Sequence, residues 1–386
     1  MVKKINLVVA DMGYGHQRAA FPLLGLANNE TITINNYPGI SEKEKQHWQK
    51  NLEAYEKISR FKKIPVLGKA VFAAMDYFQK IPDFYPFRDL SRPTPQQLYF
   101  YKLIKNGLGK ELIEKLNHTG LPLVTTFFVA MYMAEYHNYQ GDIYCVLCDA
   151  DVSRAWAPIY PKVSRSKFLV PSDKIKTRLM MYGVKSENIF VTGFPLPQEN
   201  TGAKKEIIKK DLSRRLVALD PSGIYRAKEE ALVKKIIPNS LLKKKTKVLT
   251  ITFAVGGAGA QKEIAVEAMK KLRLEIKNKK IKLNLIAGSR PEVAEYFQIE
   301  RANQGLNEKD GVKIIYQADK HDYFKEFNKV LHTTDILWTK PSELSFYSAL
   351  GLPILMSETV GSQEDFNREW LIKIGAGIDS FKPEFI

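Results

Sequence analysis

An apolar run near the N-terminus is followed by a glycine-containing turn and a helical pattern. Residues 5–10 form the run, which is long enough for one buried strand of a parallel sheet. Gly13 and Gly15 then allow the backbone to turn tightly and approach a ligand, and we predict that a helix begins near His16. The unpaired amide groups at the start of such a helix favour an anion or a developing negative charge.

The same succession recurs in the second half of the chain. Residues 247–254 predict a strand, residues 255–261 form a second glycine-rich turn, and residues 262–274 have a helical pattern. Each turn opens its own alternating series of strands and helices. This predicts an α/β fold with two Rossmann-like, doubly wound domains facing each other across a cleft. Because open parallel sheets bind ligands at the carboxyl ends of their strands, we expect both turns to line that cleft.

The length of the chain, 386 residues, fits two domains of ordinary size. We predict an N-terminal domain over residues 1–200, with an aromatic and basic insert at about 41–115. The C-terminal domain is predicted over residues 246–386. Residues 201–245, which are rich in lysine, are predicted to form a helical connection between the two.

Composition excludes several classes of protein. No stretch of about 18 apolar residues predicts a transmembrane helix, and the first residues lead directly into a strand without a signal peptide. Cys145 and Cys148 are the only cysteines, which fits a reducing compartment. A strand would send them to opposite faces, so a disulfide or a shared metal is not expected. We therefore expect a cytoplasmic protein.

The charge of the chain points to an anionic partner. Lysine and arginine number 59 against 42 aspartate and glutamate residues, a net charge of +17. Between residues 60 and 105, aromatic side chains interleave with basic ones. This pattern fits an element lying on an anionic membrane face, and it equally fits a helical insert packed on the first domain. No zinc-ligand spacing, aromatic RNA-binding motif or helix-turn-helix pattern is present, so no specific nucleic-acid partner is expected.

Several short motifs occur in an order that resembles the GT-B glycosyltransferases. The branch in question holds the diacylglycerol glycosyltransferases and the lipid-linked N-acetylglucosaminyltransferase of peptidoglycan synthesis. The motifs are Asp-Met-Gly-Tyr-Gly-His at 11–16, Cys-Asp-Ala-Asp-Val-Ser-Arg-Ala-Trp at 148–156, Val-Pro-Ser at 170–172, Thr-Gly-Phe-Pro at 192–195, Gly-Gly-Ala-Gly at 256–259, Ala-Gly-Ser at 287–289, and the segments 335–340 and 361–367. The resemblance covers most of residues 1–200 and 245–376.

The donor signature departs from the family's pattern. The family places a carboxylate for the nucleotide ribose five residues before Gly-Leu-Pro, where this chain has Phe346. Glu343 lies one helical turn earlier and is the predicted substitute. Pro341 and Ser342 replace glycines of the signature, and Ser153 stands at the family's second histidine. Since GT-B chains commonly finish with a helix that returns to the first domain, we expect this chain to be truncated at its C-terminus.

His16 is the predicted general base. An imidazole exchanges protons near neutral pH, and this one follows the first glycine turn, formed by Gly13 and Gly15. Asp11 and Asp149 are the alternatives, because a carboxylate near the strand ends can act as the base or orient His16. A histidine that only packs or caps at the turn is the other interpretation of the same residue.

The predicted donor contacts lie in the second half of the chain. Backbone amides and helix dipoles can neutralise a leaving diphosphate, so neither a metal ion nor another cofactor is expected. Asp149 and Asp151 form the Asp-x-Asp pattern of a metal-binding loop, but this segment matches the family's Thr-Asp position better. Amide and carboxylate groups suit sugar hydroxyl groups. The donor-binding candidates are Gly256, Gly257, Gly259 and Gln261 near the diphosphate, Ser342 and Glu343 near phosphate or ribose, and Gln363, Glu364 and Asn367 near the sugar.

The resemblance implies a metal-independent, inverting glycosyltransferase. It would move a sugar from a nucleotide sugar of the UDP type to a lipid or other membrane-borne acceptor, with a peripheral place on the cytoplasmic membrane face. Two alternatives stay open. One is a GT-B nucleotide-sugar epimerase, and the other is a catalytically silent nucleotide-sugar-binding protein, which Phe346 and Ser153 motivate.

Overall fold

The computed structural model describes residues 4–11, 13–50, 81–242, 248–255, 261–359 and 362–380. Their contacts divide the chain into two compact units. The first comprises Met1–Pro195 and Gly361–Phe366, and the second comprises Leu196–Val360 and Asn367–Ile386. The predicted connection at 201–245 therefore falls in the second unit, and each unit is described by itself.

The first unit is built on a six-stranded sheet in which every neighbouring pair is parallel. The spatial order is β2-β1-β3-β4-β5-β6, a doubly wound arrangement that reverses direction between β1 and β3. Its strands are β1 (Asn6–Val9), β2 (Ile32–Thr33), β3 (Leu123–Thr125), β4 (Ile143–Val146), β5 (Lys167–Val170) and β6 (Ile189–Val191).

Both faces of this sheet are buried, as the continuous apolar run in β1 predicts. Leu7 and Val9 belong to one apolar cluster, whereas Val8 belongs to a second cluster on the opposite face. Helices cover the sheet, and residues 42–50 are also helical. The bounded helices are α1 (Tyr14–Ala20), α2 (Pro95–Lys105), α3 (Lys110–Asn117), α4 (Phe128–Tyr136) and α5 (Asp173–Met181), with 3₁₀ turns at Phe21–Leu26, Arg154–Trp156 and Ser186–Asn188.

The second unit has another six-stranded parallel sheet, in the order β12-β11-β10-β7-β8-β9. Counted from β7, this is the Rossmann order 3-2-1-4-5-6, and it reverses between β7 and β10. Its strands are β7 (Leu249–Ala254), β8 (Ile281–Gly288), β9 (Val312–Tyr316), β10 (Ile336–Thr339), β11 (Ile354–Met356) and β12 (Gly377–Asp379).

One face of the second sheet is apolar and the other carries a buried polar network. Ile251 and Phe253 of β7 lie in the apolar cluster. The intervening Thr252 bonds to Thr334 (Oγ1 to Oγ1, 2.7 Å) and accepts from Asn284 Nδ2 (3.1 Å). Buried polar groups are tolerated only when they are paired, so this network fixes how the strands and the neighbouring loop meet.

Short helices surround the second sheet. They are α6 (Gln198–Thr201), α7 (Glu206–Leu219), α8 (Ile224–Lys228), α9 (Glu230–Ile236), α10 (Lys262–Lys271), α11 (Arg273–Lys277), α12 (Pro291–Asn303), α13 (Lys320–Leu331) and α14 (Ser362–Lys373), with 3₁₀ helices at Asn239–Leu241, Glu308–Asp310 and Glu343–Leu350.

The predicted fold class is confirmed, since both units are doubly wound parallel sheets with interleaved helices. Helix boundaries differ from the prediction in places. The pattern over 262–274 is two helices, α10 and α11, and part of the predicted helical connection is divided into the short helices α8 and α9. Both cysteines are buried and free.

Candidate functional site

The point at which a doubly wound sheet reverses direction is where the loops after two adjacent strands diverge and leave a crevice for a ligand. In the first unit this point lies beyond the carboxyl ends of β1 and β3. In the second unit it lies beyond the carboxyl ends of β7 and β10. Of the predicted site residues, Asp11, Gly13, Gly15 and His16 follow β1, whereas Ser342 and Glu343 follow β10.

The first glycine turn leads directly into α1, as predicted, although the helix begins at Tyr14 rather than at His16. Gly13 precedes it with φ of 112°, a left-handed conformation that strongly favours glycine. Asn35 braces the strand end before the turn. Its Oδ1 accepts from the Asp11 amide (3.0 Å) and its Nδ2 donates to the Asp11 carbonyl (3.2 Å).

The half-buried His16 ring is enclosed by residues that follow β3 and β4 and by a residue of the 3₁₀ turn Arg154–Trp156. The Phe127 ring lies edge-on with centroids 5.0 Å apart, and the Trp156 ring lies tilted at 5.9 Å. Thr126 Oγ1 donates to the His16 carbonyl (2.8 Å), and Cys148 Sγ lies 3.9 Å from His16 Nδ1. The imidazole is therefore held at the reversal point of the sheet by packing as well as by polar contacts.

The two aspartates near β4 have different surroundings. Asp149 is half-buried and directly follows Cys148, the residue that contacts His16. Asp151 is fully buried, receives two bonds from Arg178 (2.9 and 3.0 Å) and pairs with Lys174 at 3.2 Å. Asp151 is thus committed to a structural ion pair.

The loop after β10 places the degenerate donor signature. Thr339 is buried and donates to the Ala254 carbonyl (3.3 Å), which ties the ends of β10 and β7 together. Ser342 begins the 3₁₀ helix Glu343–Leu350 without a side-chain cap. Phe346 is buried and packs on Trp370 with ring centroids 5.0 Å apart, whereas Glu343 is half-buried. The apolar residue at the family's carboxylate position is therefore part of the core.

Gln261 follows the second glycine turn and was predicted to lie near the donor diphosphate. Its backbone has φ of 67°, and both ends of its side chain are already bonded within the protein. Oε1 accepts from Ser357 Oγ (2.6 Å), and Nε2 donates to the Glu358 carbonyl (2.7 Å). The observed contacts make Gln261 a brace between the end of this turn and the loop after β11. Gly256, Gly257 and Gly259 lie outside the described residues.

Helix α14 carries the three residues predicted to contact the sugar. Gln363 and Glu364, in its first turn, are half-buried. Asn367 is only 1% exposed, and its Nδ2 donates to the Pro341 carbonyl (3.3 Å). Contact of Asn367 with sugar hydroxyl groups stays a prediction, and in this structure the side chain is bonded within the protein. Sequence spacing placed it on the right helix but did not reveal which face of the helix is buried.

A cationic network that sequence reasoning missed supports the segments that lead into β10 and β11. Arg215 of α7 is buried and donates to the carbonyl groups of Thr334 (2.9 Å) and Leu350 (2.7 Å), and burial lowers the pKa of its guanidinium to about 10. Arg214 donates to Asp335 Oδ1 (2.6 Å). Burial raises the pKa of the Asp335 carboxyl above its usual range, and the bonds from Thr250 and Arg214 oppose that rise. In the sequence, the one indication of this network was the pair Arg214-Arg215 in the basic segment 201–245.

Apolar side chains reach the surface of the first unit beside basic ones. Phe84, Tyr85 and Phe87 form an aromatic cluster, in which Tyr85 is 69% and Phe87 is 58% exposed. A separate groove of about 470 Å³ lies between α2, α4 and the loop before β5. It is lined by Tyr101, Lys102, Lys105, Glu135, Tyr136, Ile159, Tyr160, Val163, Ser164 and Arg165. The predicted insert is described only in part, since residues 51–80 lie outside the described ranges.

Among the described residues, one group with the ligand types of a metal site is Asp319, His321 and Asp322. All three are exposed, and Asp319 caps α13 by accepting from the Asp322 amide (2.9 Å). Exposed carboxylates at a helix start stabilise the helix dipole without any ion. The helices of the described residues include none with the length and apolar content needed to cross a membrane.

Comparisons with known proteins agree with the motifs. A family model described as a domain of unknown function (DUF6938) matches residues 291–378. A processive diacylglycerol beta-glucosyltransferase of Bacillus mycoides is 25% identical over 238 residues, 61% of this chain and 49% of that protein. The chain thus aligns with about half the length of this curated relative. The resemblance to the diacylglycerol glycosyltransferases that the motifs indicated is confirmed.

Solved structures share the architecture at low sequence identity. Acinetobacter baumannii MurG is 13% identical with a TM-score of 0.44, over 99% of this chain and 88% of that chain. UDP-GlcNAc 2-epimerase from Neisseria meningitidis, bound to UDP-GlcNAc, is 14% identical with a TM-score of 0.40, over 96% and 91%.

Proposed function

We propose that this protein is a glycosyltransferase that moves a sugar from a UDP-type nucleotide sugar to a lipid or other membrane-borne acceptor. The observation that carries the proposal is the imidazole of His16, held at the reversal point of the first sheet by Thr126, Phe127 and Trp156. The glucosyltransferase relative supports the choice of reaction.

In the proposed reaction His16 is the general base. It accepts the proton of the acceptor hydroxyl while that oxygen forms a bond to the anomeric carbon of the sugar. The bond from this carbon to the diphosphate oxygen breaks at the same time, and its electron pair leaves with the nucleoside diphosphate. A single displacement of this kind inverts the anomeric centre. An imidazole suits the step because it is partly unprotonated near neutral pH.

The donor contacts in this proposal come from the loop after β10, the start of α14 and the second glycine turn. Ser342 and Glu343 follow β10, where a ligand of a Rossmann-order sheet is expected, and the half-buried Glu343 takes the place of the missing ribose carboxylate. Gln363 and Glu364 contact the sugar. The leaving diphosphate is neutralised by backbone amides of the second glycine turn, which requires no metal ion. Asn367 and Gln261 hold these loops in place through their hydrogen bonds within the protein.

The acceptor side of the proposal rests on the surface of the first unit. Tyr85 and Phe87 are exposed aromatic groups beside Arg88, an arrangement that suits the headgroup region of an anionic membrane. The net charge of +17 favours the same surface. We therefore place the protein peripherally on a membrane, where a lipid acceptor is available.

Thermal unfolding with a panel of nucleotides tests the donor site. A ligand at about 100 times its Kd stabilises the folded state by about 2.7 kcal/mol, so UDP and UDP-sugars should raise the melting temperature, while GDP and ADP should not. Glu343→Ala should lose the UDP shift. The matched control is Glu295→Ala on the exposed surface of α12, which should keep it. No shift with any UDP compound would contradict the proposal.

Product analysis then separates the reaction from the two alternatives. With UDP-glucose and vesicles containing diacylglycerol, a glycosyltransferase releases UDP only when the acceptor is present and forms a glycolipid. An epimerase would convert the nucleotide sugar without any acceptor. A silent binding protein would give the UDP shift without turnover under either condition.

Vesicle flotation tests the membrane surface. Binding should be stronger to vesicles containing phosphatidylglycerol than to phosphatidylcholine alone and should weaken with salt. The double variant Tyr85→Ser, Phe87→Ser should bind less. The control is Leu274→Ser, Ile299→Ser, which removes apolar groups of similar exposure, 65% and 53%, from the second unit. Equal loss in both double variants would contradict a membrane role for the aromatic cluster.

A further inference from the structure

The thiol of Cys148 contacts the His16 ring. Cys148 lies two residues beyond the end of β4 and is 3% exposed, and its sulfur lies 3.9 Å from His16 Nδ1. The contact joins residues that are 132 positions apart in the chain. It is created only where the ends of β1 and β4 come near each other on either side of β3.

The hydrogen bond at one imidazole nitrogen decides what the other nitrogen can do. A neutral histidine carries its proton on either Nδ1 or Nε2, and the partner of one nitrogen selects the tautomer. We propose that Cys148 is a positioning residue for His16: its sulfur accepts the Nδ1 proton, which fixes the ring and leaves the basic lone pair on Nε2. This inference rests on the proposed role of His16 as a general base.

The surroundings of the ring explain why a thiol can have this effect. Phe127 and Trp156 pack on the imidazole and hold the ring in place beside the thiol. A buried sulfur is a weak acceptor, so it directs the tautomer while stabilising an imidazolium much less than a carboxylate does. Arg18 on the same helix and the strand-end residues Asp11 and Asp149 are the nearby charged groups in sequence. The tautomer measurement must therefore be made with all three intact.

The chain contains a matched control for this proposal. Cys145 lies in β4 only three residues earlier, is fully buried, and belongs to the apolar cluster on one face of the sheet. Burial raises the pKa of its thiol, so it stays protonated. Replacing Cys145 by alanine removes a buried thiol of the same size three residues away, without removing the Cys148 contact to His16.

The decisive experiment is ¹⁵N NMR of the histidine imidazoles in the full chain, with the His16 signals assigned by their absence in His16→Gln. In the native protein, at a pH where His16 is neutral, Nδ1 should have the protonated, pyrrole-type shift and Nε2 the pyridine-type shift. Cys148→Ala should move His16 towards a tautomer mixture. Cys145→Ala should leave it unchanged, and Cys148→Ser, which keeps an acceptor oxygen on the same carbon, should restore the native tautomer in part.

Activity gives a second readout. Cys148→Ala should lower kcat about tenfold with little change in KM, in the range typical of groups that orient a catalytic histidine, and Cys145→Ala should not. A native His16 protonated on Nε2, or identical imidazole spectra in Cys148→Ala and Cys145→Ala, would overturn the proposal. Because the NMR result needs no substrate, a failure of the transferase assignment would show in the activity assay alone.

Discussion

The two glycine turns have the same local sequence pattern but different surroundings in the folded chain. The turn after β1 leads into α1, whose third residue is His16. Its titratable side chain is enclosed by aromatic rings and a thiol. The turn after β7 ends in Gln261, whose amide is bonded at both ends to the loop after β11. One turn therefore presents a group that can exchange a proton, and the other presents a group that can only hold its neighbours.

This difference teaches that a strand, a glycine turn and a helix define a place in the fold rather than a chemical task. The task depends on which side chains the neighbouring strands bring to that place. At the first turn these are Thr126 and Phe127 after β3 and Cys148 after β4. At the second they are Ser357 and Glu358 after β11.

The largest effect should come from removing the base at the first turn. His16→Gln keeps a polar side chain of similar size but cannot take up a proton, so kcat should fall by about 10²- to 10⁴-fold. UDP should still raise the melting temperature, since His16 is not among the proposed donor contacts. The control is His137→Gln, because that ring bonds to the Leu108 carbonyl (2.9 Å) away from the turn. Equal activity in the native protein and His16→Gln would remove the chemical distinction between the turns.

The next largest effect should be on the stability of the second unit. Arg215→Met keeps the length of the side chain but removes the donor of the Leu350 carbonyl group and leaves the Thr334 carbonyl group with Arg214 alone, at a cost of about 3 kcal/mol in the free energy of unfolding. Denaturant unfolding followed by tryptophan fluorescence measures the change. A loss below about 0.5 kcal/mol, as for an ordinary surface substitution, would show that α7 does not support the segments that lead into β10 and β11.

A pair of glycine substitutions compares the backbone at Gly351, which follows the 3₁₀ helix Glu343–Leu350, with the backbone at Gly13, in the first glycine turn. Gly351→Ala places a methyl group against Leu212 at a residue with φ of 69°, so strain and overpacking should together cost about 3 kcal/mol. Gly13→Ala has a φ of 112° but no atom within 4 Å of the new methyl group, so only strain applies, about 1 to 2 kcal/mol. Unfolding free energies measured side by side should keep this order. The reverse order would mean that Leu212 moves aside easily.

The smallest effect should come from the brace at the second turn. Ser357→Ala removes one bond to Gln261 and should cost about 1 kcal/mol. Gln261→Gly removes both bonds but relieves the left-handed backbone, so it should weaken UDP binding more than it lowers stability. Calorimetric titration with UDP and unfolding curves separate these quantities. A catalytic role for Gln261 would instead appear as a fall in kcat with unchanged UDP affinity.

The sequence was most informative where a single local pattern decides the structure. The run at 5–10 predicted β1, and the turn predicted the helix that carries His16, within two residues of its observed start. It was less informative on helices α8 to α11, because weakly amphipathic basic segments do not mark their own ends. It did not indicate that Asn367 is buried, since helical spacing gives the angle between side chains but not which side faces the core.

By itself, the sequence determined the α/β class, the two parallel sheets and the positions of His16 and Glu343 after their strands, because buried strands and tight turns depend on residues that are close in the chain. Only the tertiary structure decided that Cys148 meets His16, that Gln261 braces the loop after β11 and that Arg215 supports the segments that lead into β10 and β11. These contacts join residues 96 to 135 positions apart. The first two form because parallel strands bring their carboxyl ends to one edge of a sheet, and the third forms where the segments before two strands meet α7. Local patterns carry no record of which strands become neighbours.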